Sequence, residues 1–375
     1  MPPVVINLRK AEDRRDVVHR AVQALSEGQL VAFPTETVYG LAASARCAEG
    51  VRRIYEIKGR DEKTPLTLAI RGIEDAWDYV PRLGKAATRL ARRCWPGPVT
   101  LVAPHGDHGS LIRQLPAEVR AAVAPSGDVG LRSPAHPAVL EVLQMIAGPI
   151  VLTSANRSGQ PPAVTAEEVV ANLGSGVALV LDDGPSRYGQ ASTVVRVTDN
   201  CCECLREGVV PHSALQRLAS MMIVLCCTGN TCRSPMAEAI LRRLLAERLG
   251  GEESEVETRG VLVSSAGIAA SPGGKASPEA VAVMTSKGLD ISGHASQPLT
   301  ENLVRDADLV LTMTSGHRQA IVGRWPESAS RVKTLRPDLG DIDDPIGAPE
   351  EVYRQCAEQI EAALRQRVAE LDLPN

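Results

Sequence analysis

Short apolar runs bounded by Gly, Pro and polar positions alternate along the chain with stretches whose apolar residues recur every three or four positions. The short runs predict strands at residues 30–33, 66–70, 99–103, 150–153, 178–181 and 192–197. The three-to-four spacing predicts helices over 49–57, 85–94, 138–147 and 166–173. After Arg206-Glu207-Gly208 comes a short helical stretch to Ser220, and then Met221-Met222-Ile223-Val224-Leu225-Cys226 opens a fresh strand with a Gly-containing loop and a helix behind it. Strands at 261–264 and 309–312, helices over 278–287 and 317–325, a further strand and a long helix over 350–371 complete the order of a doubly wound parallel sheet. The pattern therefore predicts two α/β domains, 1–219 and 220–375. No internal repeat, low-complexity tract or Gly/Ser linker interrupts it.

The 375 residues are long for one core, and 44% hydrophobic with 23% charged residues fits globular domains rather than disorder. Residues 1–220 carry 25 Lys and Arg against 23 Asp and Glu, and residues 221–375 carry 16 against 22. An excess that small does not by itself indicate nucleic-acid binding. The longest apolar runs fall short of the ~20 residues of a membrane span, and no secretory leader pattern is evident, so a cytoplasmic protein without a membrane partner is expected. Of nine cysteines only Cys201, Cys202 and Cys204 form a tight group. They lack the fourth ligand of a structural zinc site and read as strand residues, so no metal centre is expected, and any thiol of interest is expected to be reactive.

Cys227-Thr228-Gly229-Asn230-Thr231-Cys232-Arg233-Ser234 stands directly after a strand and directly before a helix. Such a loop can aim successive N–H groups inward, the helix N-terminus adds positive potential, and Arg233 can grip two phosphate oxygens. That field is expected to favour a Cys227 thiolate nucleophile, with the Ser234 hydroxyl bonded to it. The same Cys-x5-Arg spacing from Cys47 to Arg53 leads into a helix-like run, and there Cys47 reads as a packing residue. A leaving group needs a proton, and Asp343-Asp344-Pro345 can supply one.

With these residues in hand, positions 221–375 resemble the low-molecular-weight protein-tyrosine-phosphatase family, also through Ser264-Ser265-Ala266-Gly267 and Ala307-Asp308-Leu309-Val310-Leu311. The resemblance implies that Cys227 forms a phosphocysteine, that Arg233 stabilises the phosphoryl group in transfer, and that Asp344, rather than Asp343, protonates the leaving atom and then activates water. It implies that Gly229, Asn230 and Thr231 help to bind the substrate. It makes Cys232 a redox residue able to close a protective disulfide on Cys227, and Cys226 strand core. Thr231, in place of an aliphatic residue, resembles the protein-arginine-phosphatase branch, as do Ala270-Ser271-Pro272, Gly274-Lys275-Ala276 and the turn from Asp344 to Gly347, although Ile346 stands where that branch usually has phenylalanine. Phosphoarginine in proteins is the expected substrate, with phosphotyrosine and arsenate as alternatives, and no cofactor is implied.

In the first half, Phe33-Pro34-Thr35-Glu36-Thr37-Val38-Tyr39-Gly40-Leu41, Lys58-Gly59-Arg60 and Ser154-Ala155-Asn156 combine hydroxyls at a strand end with cations at a helix end, which fits a phosphate-bearing ligand without a Walker loop. Taken with Trp95-Pro96-Gly97-Pro98, Gly130-Leu131-Arg132, Ser192-Thr193-Val194-Val195 and Arg206, residues 15–215 resemble the YrdC-like threonylcarbamoyl-AMP synthases. The resemblance implies a mixed twisted sheet for this domain, and condensation of L-threonine, bicarbonate and ATP with release of pyrophosphate, in supply of a tRNA-modifying transferase complex. It implies that Thr37, Arg132, Ser154 and Ser192 hold threonine, that Lys58, Arg60, Asn156 and Arg206 hold ATP, that Thr35 serves either, and that Mg²⁺ bridges the phosphates. Ala69 stands where many members carry a threonine-contacting histidine. The opposing class is an RNA-binding or regulatory module.

Overall fold

Ten strands of the first half form one mixed sheet in the computed structural model, which describes residues 2–106, 109–198, 202–338 and 340–373. They are β1 (Val4–Asn7), β2 (Val31–Phe33), β3 (Gly40–Ser44), β4 (Thr67–Ala69), β5 (Val99–Pro104), β6 (Asp128–Arg132), β7 (Ile150–Ser154), β8 (Leu179–Asp182), β9 (Thr193–Val197) and β10 (Cys202–Arg206). Their order is β1-β8-β2-β3-β7-β4-β6-β5-β9-β10, with β3 and β7 antiparallel through Gly40 to Ser44 against Ser154 to Ile150. The apolar runs located six of these strands to within a residue or two at each end. They missed β1, whose Val4 and Val5 are exposed at the sheet edge, β3, whose five residues are all buried without alternation, and β6, where Val129 and Leu131 alternate over only five residues. Cys202 and Cys204 lie in β10 as expected, while Cys201 falls outside the described residues.

Helix Ala48–Lys58 shows how the chain fixes its ends. Cys47 is not a packing thiol but the N-cap of helix Ala48–Lys58, its Sγ accepting the Gly50 N–H at 3.4 Å. That helix stops at Gly59, whose φ of 56° is the left-handed conformation that costs glycine least. The turn sends Gly59 N–H back to the Glu56 carbonyl and Arg60 N–H back to Tyr55, and so redirects the chain between Lys58 and Arg60.

The second half builds a four-stranded parallel sheet from β11 (Met221–Cys227), β12 (Val261–Gly267), β13 (Leu309–Thr312) and β14 (Val332–Thr334), in the order β12-β11-β13-β14. Because side chains alternate across a strand, Ile223, Leu225 and Cys227 enter one core beneath helices Arg233–Leu249 and Glu350–Glu370, and Val224 and Cys226 enter the other with Ile321 and Trp325. Both faces are covered, as a parallel sheet requires. The chain divides into two compact units, 1–218 and 219–375. Among the described residues no helix is long and apolar enough to cross a membrane, and no three His, Cys, Asp or Glu side chains group as metal ligands.

Candidate active sites

In the first unit Thr35, Arg60, Arg132, Ser154, Asn156, Ser192 and Arg206 line one cleft of about 480 Å³. Arg132 ends β6, and its Nη2 donates to Glu36 Oε1 at 2.7 Å and to Thr37 Oγ1 at 2.8 Å while Nε donates to the Gly97 carbonyl. Glu36 Oε2 accepts the Ala135 N–H at 2.9 Å, so this buried ion pair has further hydrogen bonds to offset its desolvation. Thr37 is fully buried; its hydroxyl is committed to Arg132 and to Thr35 Oγ1, 2.9 Å away, and it stands behind the cleft wall rather than in it. Lys58 also stands behind the wall. Its Nζ donates to the carbonyls of Ser154 and Asn156, and burial, aided by Arg60, pulls its pKa down to about 8.

Arg206 Nη2 donates to the Ser192 carbonyl at 2.7 Å and lies 3.3 Å from Ser192 Oγ, which in turn meets Thr100 Oγ1 at 3.0 Å. Burial lowers the Arg206 pKa, and the positive charges of Arg132 and Arg60 lower it further. Arg60 and Arg206 thus bring two guanidiniums to one half-enclosed cleft, beside Arg132 with its Glu36 partner, which suits an anionic ligand. Asn156 Nδ2 donates to the carbonyls of Arg157 and Gln160, and its Oδ1 is buried with no partner among the described residues. Ala69 is fully buried in β4, in register with Arg132 of β6.

In the second unit the loop from Cys227 to Arg233 joins β11 to helix Arg233–Leu249, and no side chain caps that helix, so its first N–H groups are free for a ligand. Cys227 Sγ receives the Asn230 N–H at 3.3 Å and lies 3.0 Å from Ser234 Oγ. Asn230 Nδ2 donates to Ser234 Oγ at 2.9 Å, and the hydroxyl's own proton has two acceptors in reach, the sulfur at 3.0 Å and the Ala266 carbonyl at 3.5 Å. The Asn230 side chain does not face a substrate. It braces the loop, holding Ser265 Oγ and the Gln297 N–H, while its carbonyl lies 2.7 Å from His294 Nε2. These contacts hold Asn230 at a φ of 56°, unusual for a residue with a side chain. Gly267, at the end of β12, lets the loop pass: a Cβ there would lie 2.4 Å from the Thr228 carbonyl oxygen.

Arg233 is buried, its Nη2 paired with Asp344 and its Nη1 donating to the Ile342 carbonyl at 3.3 Å. Asp343 is turned away, its Oδ2 accepting from Gln359 Nε2 at 2.9 Å. Thr231 Oγ1 lies 3.6 Å from Cys232 Sγ, which is a free thiol 3.5 Å from the Tyr353 hydroxyl. Gly229 is half-buried in the loop, and Ile346 is 71% exposed beside Asp344. Cys226 lies in the opposite core, where burial pushes its thiol pKa up. Glu36 was passed over in the sequence although it sits between the two threonines; Ser265, His294 and Gln297 had no local signal, because each meets Asn230 from 35 to 67 positions away.

The low molecular weight phosphotyrosine protein phosphatase family model matches residues 222–373, and the Sua5/YciO/YrdC model, described as telomere recombination, matches residues 23–208. The chain is 43% identical over 155 residues to the protein-arginine-phosphatase of Bacillus subtilis (strain 168), covering 40% of this chain and 97% of that protein. It is 35% identical over 217 residues to the threonylcarbamoyl-AMP synthase of Pyrococcus abyssi (strain GE5 / Orsay), covering 57% of this chain and spanning 60% of the length of that relative. The solved structure of P. abyssi Sua5 complexed with L-threonine aligns with a TM-score of 0.52 at 25% identity, over 70% of this chain and 92% of that one. The chain thus belongs by its first half to the Sua5/YciO/YrdC family and by its second half to the low-molecular-weight phosphatases.

Proposed function

We propose that the first unit condenses L-threonine, bicarbonate and ATP to threonylcarbamoyl-AMP, releasing pyrophosphate. The observation that carries this is the convergence of Arg60, Arg132 and Arg206 on one cleft that also presents the hydroxyls of Thr35, Ser154 and Ser192 and the amide of Asn156. Arg60 and Arg206 neutralise the triphosphate and the charge that develops at the α-phosphate, and Arg132, Thr35, Ser154 and Ser192 hold the amino acid; the work is positioning and charge rather than covalent catalysis. Asn156 Oδ1, buried with no partner among the described residues, would be the side-chain oxygen to hold Mg²⁺, which would supply further charge neutralisation. Incubation with ATP, threonine and bicarbonate releases pyrophosphate under this reading, whereas an RNA-binding module releases none. The product would pass to a tRNA-modifying transferase complex in the cytoplasm.

The second unit hydrolyses phosphoarginine in proteins. Cys227 Sγ, as thiolate, attacks phosphorus, the P–N bond breaks, and the leaving guanidine nitrogen takes a proton from Asp344; water then attacks the phosphocysteine phosphorus and gives a proton to Asp344 as the S–P bond breaks, releasing inorganic phosphate and the Cys227 thiolate. The phosphoryl group replaces Asp344 on Arg233, which frees the acid as the substrate binds. The convergence of the Asn230 N–H and Ser234 Oγ on Cys227 Sγ carries this reading. Thr231, polar where a phenyl slot would be apolar, favours the guanidinium over the phenol, and turnover of phosphoarginine against phosphotyrosine by the purified protein decides between them. Cys232 would shield Cys227 as a disulfide under oxidation.

A further inference from the structure

Directly after the nucleophile, Thr228 Oγ1 lies 2.9 Å from His317 Nε2. Thr228 itself is exposed, but its carbonyl also accepts the Ala269 N–H at 3.0 Å, so the residue is held at two points. His317 lies in the first turn of helix Ser315–Arg324, where Thr314 Oγ1 accepts its N–H. The imidazole is only 6% exposed, and its Nδ1 is buried with no partner among the described residues. An unpaired buried nitrogen destabilises a fold, and an aliphatic side chain would fill the same space without it. Packing therefore does not account for the histidine.

The segment that carries it touches both halves of the phosphatase site. Met313 N–H donates to the Cys226 carbonyl at 3.0 Å, and the Met313 carbonyl accepts the Ile342 N–H at 2.8 Å. Ser315 N–H donates to Asp341 Oδ1 at 2.7 Å, and Ile342 in turn receives Arg233 Nη1. Residues 313–317 thus bridge the nucleophile strand and the acid loop, and His317 is the side chain of that bridge that reaches the residue after Cys227. The charges around it are Arg233, Asp344 and Asp341; burial first and Arg233 second lower its pKa from the usual histidine value, against the two carboxylates.

We propose that His317 is a positioning residue for phosphoryl transfer, fixing Thr228 and with it the Thr228–Gly229 peptide of the anion loop in register with the acid loop. The proposal rests on the reading of the second unit as a cysteine phosphatase. The full chain is assayed with para-nitrophenyl phosphate, an ester that does not depend on the native substrate, as wild type, His317→Ala, His317→Gln, Thr228→Val and the double variant His317→Ala/Thr228→Val. His317→Ala and Thr228→Val are each expected to lower kcat about tenfold with KM changed less than about threefold, and the double variant to be no worse than either. His317→Gln, which can present an amide N–H near the place of Nε2, is expected to regain at least about a third of wild-type kcat. Wild-type kcat in Thr228→Val, or multiplied losses in the double variant, overturns the proposal and leaves His317 without a role in the loop. A wild-type protein inert toward the ester overturns the phosphatase reading itself, and the proposal with it.

Discussion

Asn230 offers the sharpest test of how the nucleophile loop is built. Asn230→Ala removes three side-chain hydrogen bonds, to Ser234 Oγ, Ser265 Oγ and the Gln297 N–H, from a site with no solvent exposure. At roughly 1 kcal/mol net for each, the loss is about 3 kcal/mol. Alanine must also hold the left-handed φ of 56° without help from its side chain, which adds roughly 1–2 kcal/mol. If the loop alone bears this cost, its competent conformation becomes roughly a thousandfold rarer, at about 1.4 kcal/mol per factor of ten. Asn230→Gly makes the same three deletions without the backbone penalty, and so should be about tenfold more active than the alanine variant. The assay is kcat/KM for an aryl phosphate with near-UV and far-UV circular dichroism as the folding control. An alanine variant within about fivefold of wild type, or a glycine variant no better than alanine, would refute the claim that these bonds hold the loop in its active shape.

Four further outcomes are expected. Thr231→Ile should shift the ratio of specificity constants from phosphoarginine toward phosphotyrosine by about ten- to hundredfold, since a guanidinium N–H left unpaired costs roughly 1–3 kcal/mol; equal losses on both substrates would remove Thr231 from substrate choice. Arg206→Ala should raise KM for ATP by about tenfold, near the low end for a charge-assisted contact, because its removal also relieves repulsion with Arg132 and Arg60, and isothermal titration with ATP checks it. Lys58 is pushed down to about 8, so it loses its charge in the folded protein while still protonated in the unfolded chain: stability should rise with pH above about 8, and KM for ATP should rise over the same range as a cation leaves the cleft wall. A flat KM from pH 7 to 9.5 would contradict this. Gly267→Ala should lower phosphatase kcat/KM on the order of a hundredfold while far-UV circular dichroism is unchanged, because the new Cβ displaces the loop at Thr228.

What the sequence revealed follows from distance along the chain. The phosphate cradle was legible because Cys227, Arg233 and Ser234 lie within eight consecutive residues flanked by a strand and a helix. The second unit's strands were legible because a parallel sheet covered on both faces leaves continuous apolar runs such as Met221 to Cys227. By contrast, Arg132 and Glu36 meet across 96 positions, and Thr228 and His317 across 89, with no local pattern to announce either pair. Lys58 and Thr37 carry the chemistry expected of ligand contacts, yet the fold turns both inward to hold other wall residues. Residue type indicates what a group can do, but which neighbour takes it up depends on strand order.

The position of β11 has a consequence for synthesis on the ribosome. It is the first strand of its unit to emerge and one of the two interior strands of its sheet, flanked by β12 and β13. Its second neighbour is complete only at Thr312, about 85 residues after Cys227, which at ~5–20 residues per second is a delay of roughly 4–17 s. For that interval an apolar strand ending in two adjacent thiols, Cys226 and Cys227, has at least one unpaired edge in the nascent chain. A cell that makes this protein slowly, or under oxidative stress, exposes a sticky and oxidisable segment before its second neighbouring strand and the covering helix Glu350–Glu370 exist, so the yield of active phosphatase is tied to translation rate and to chaperone supply as well as to the stability of the finished fold.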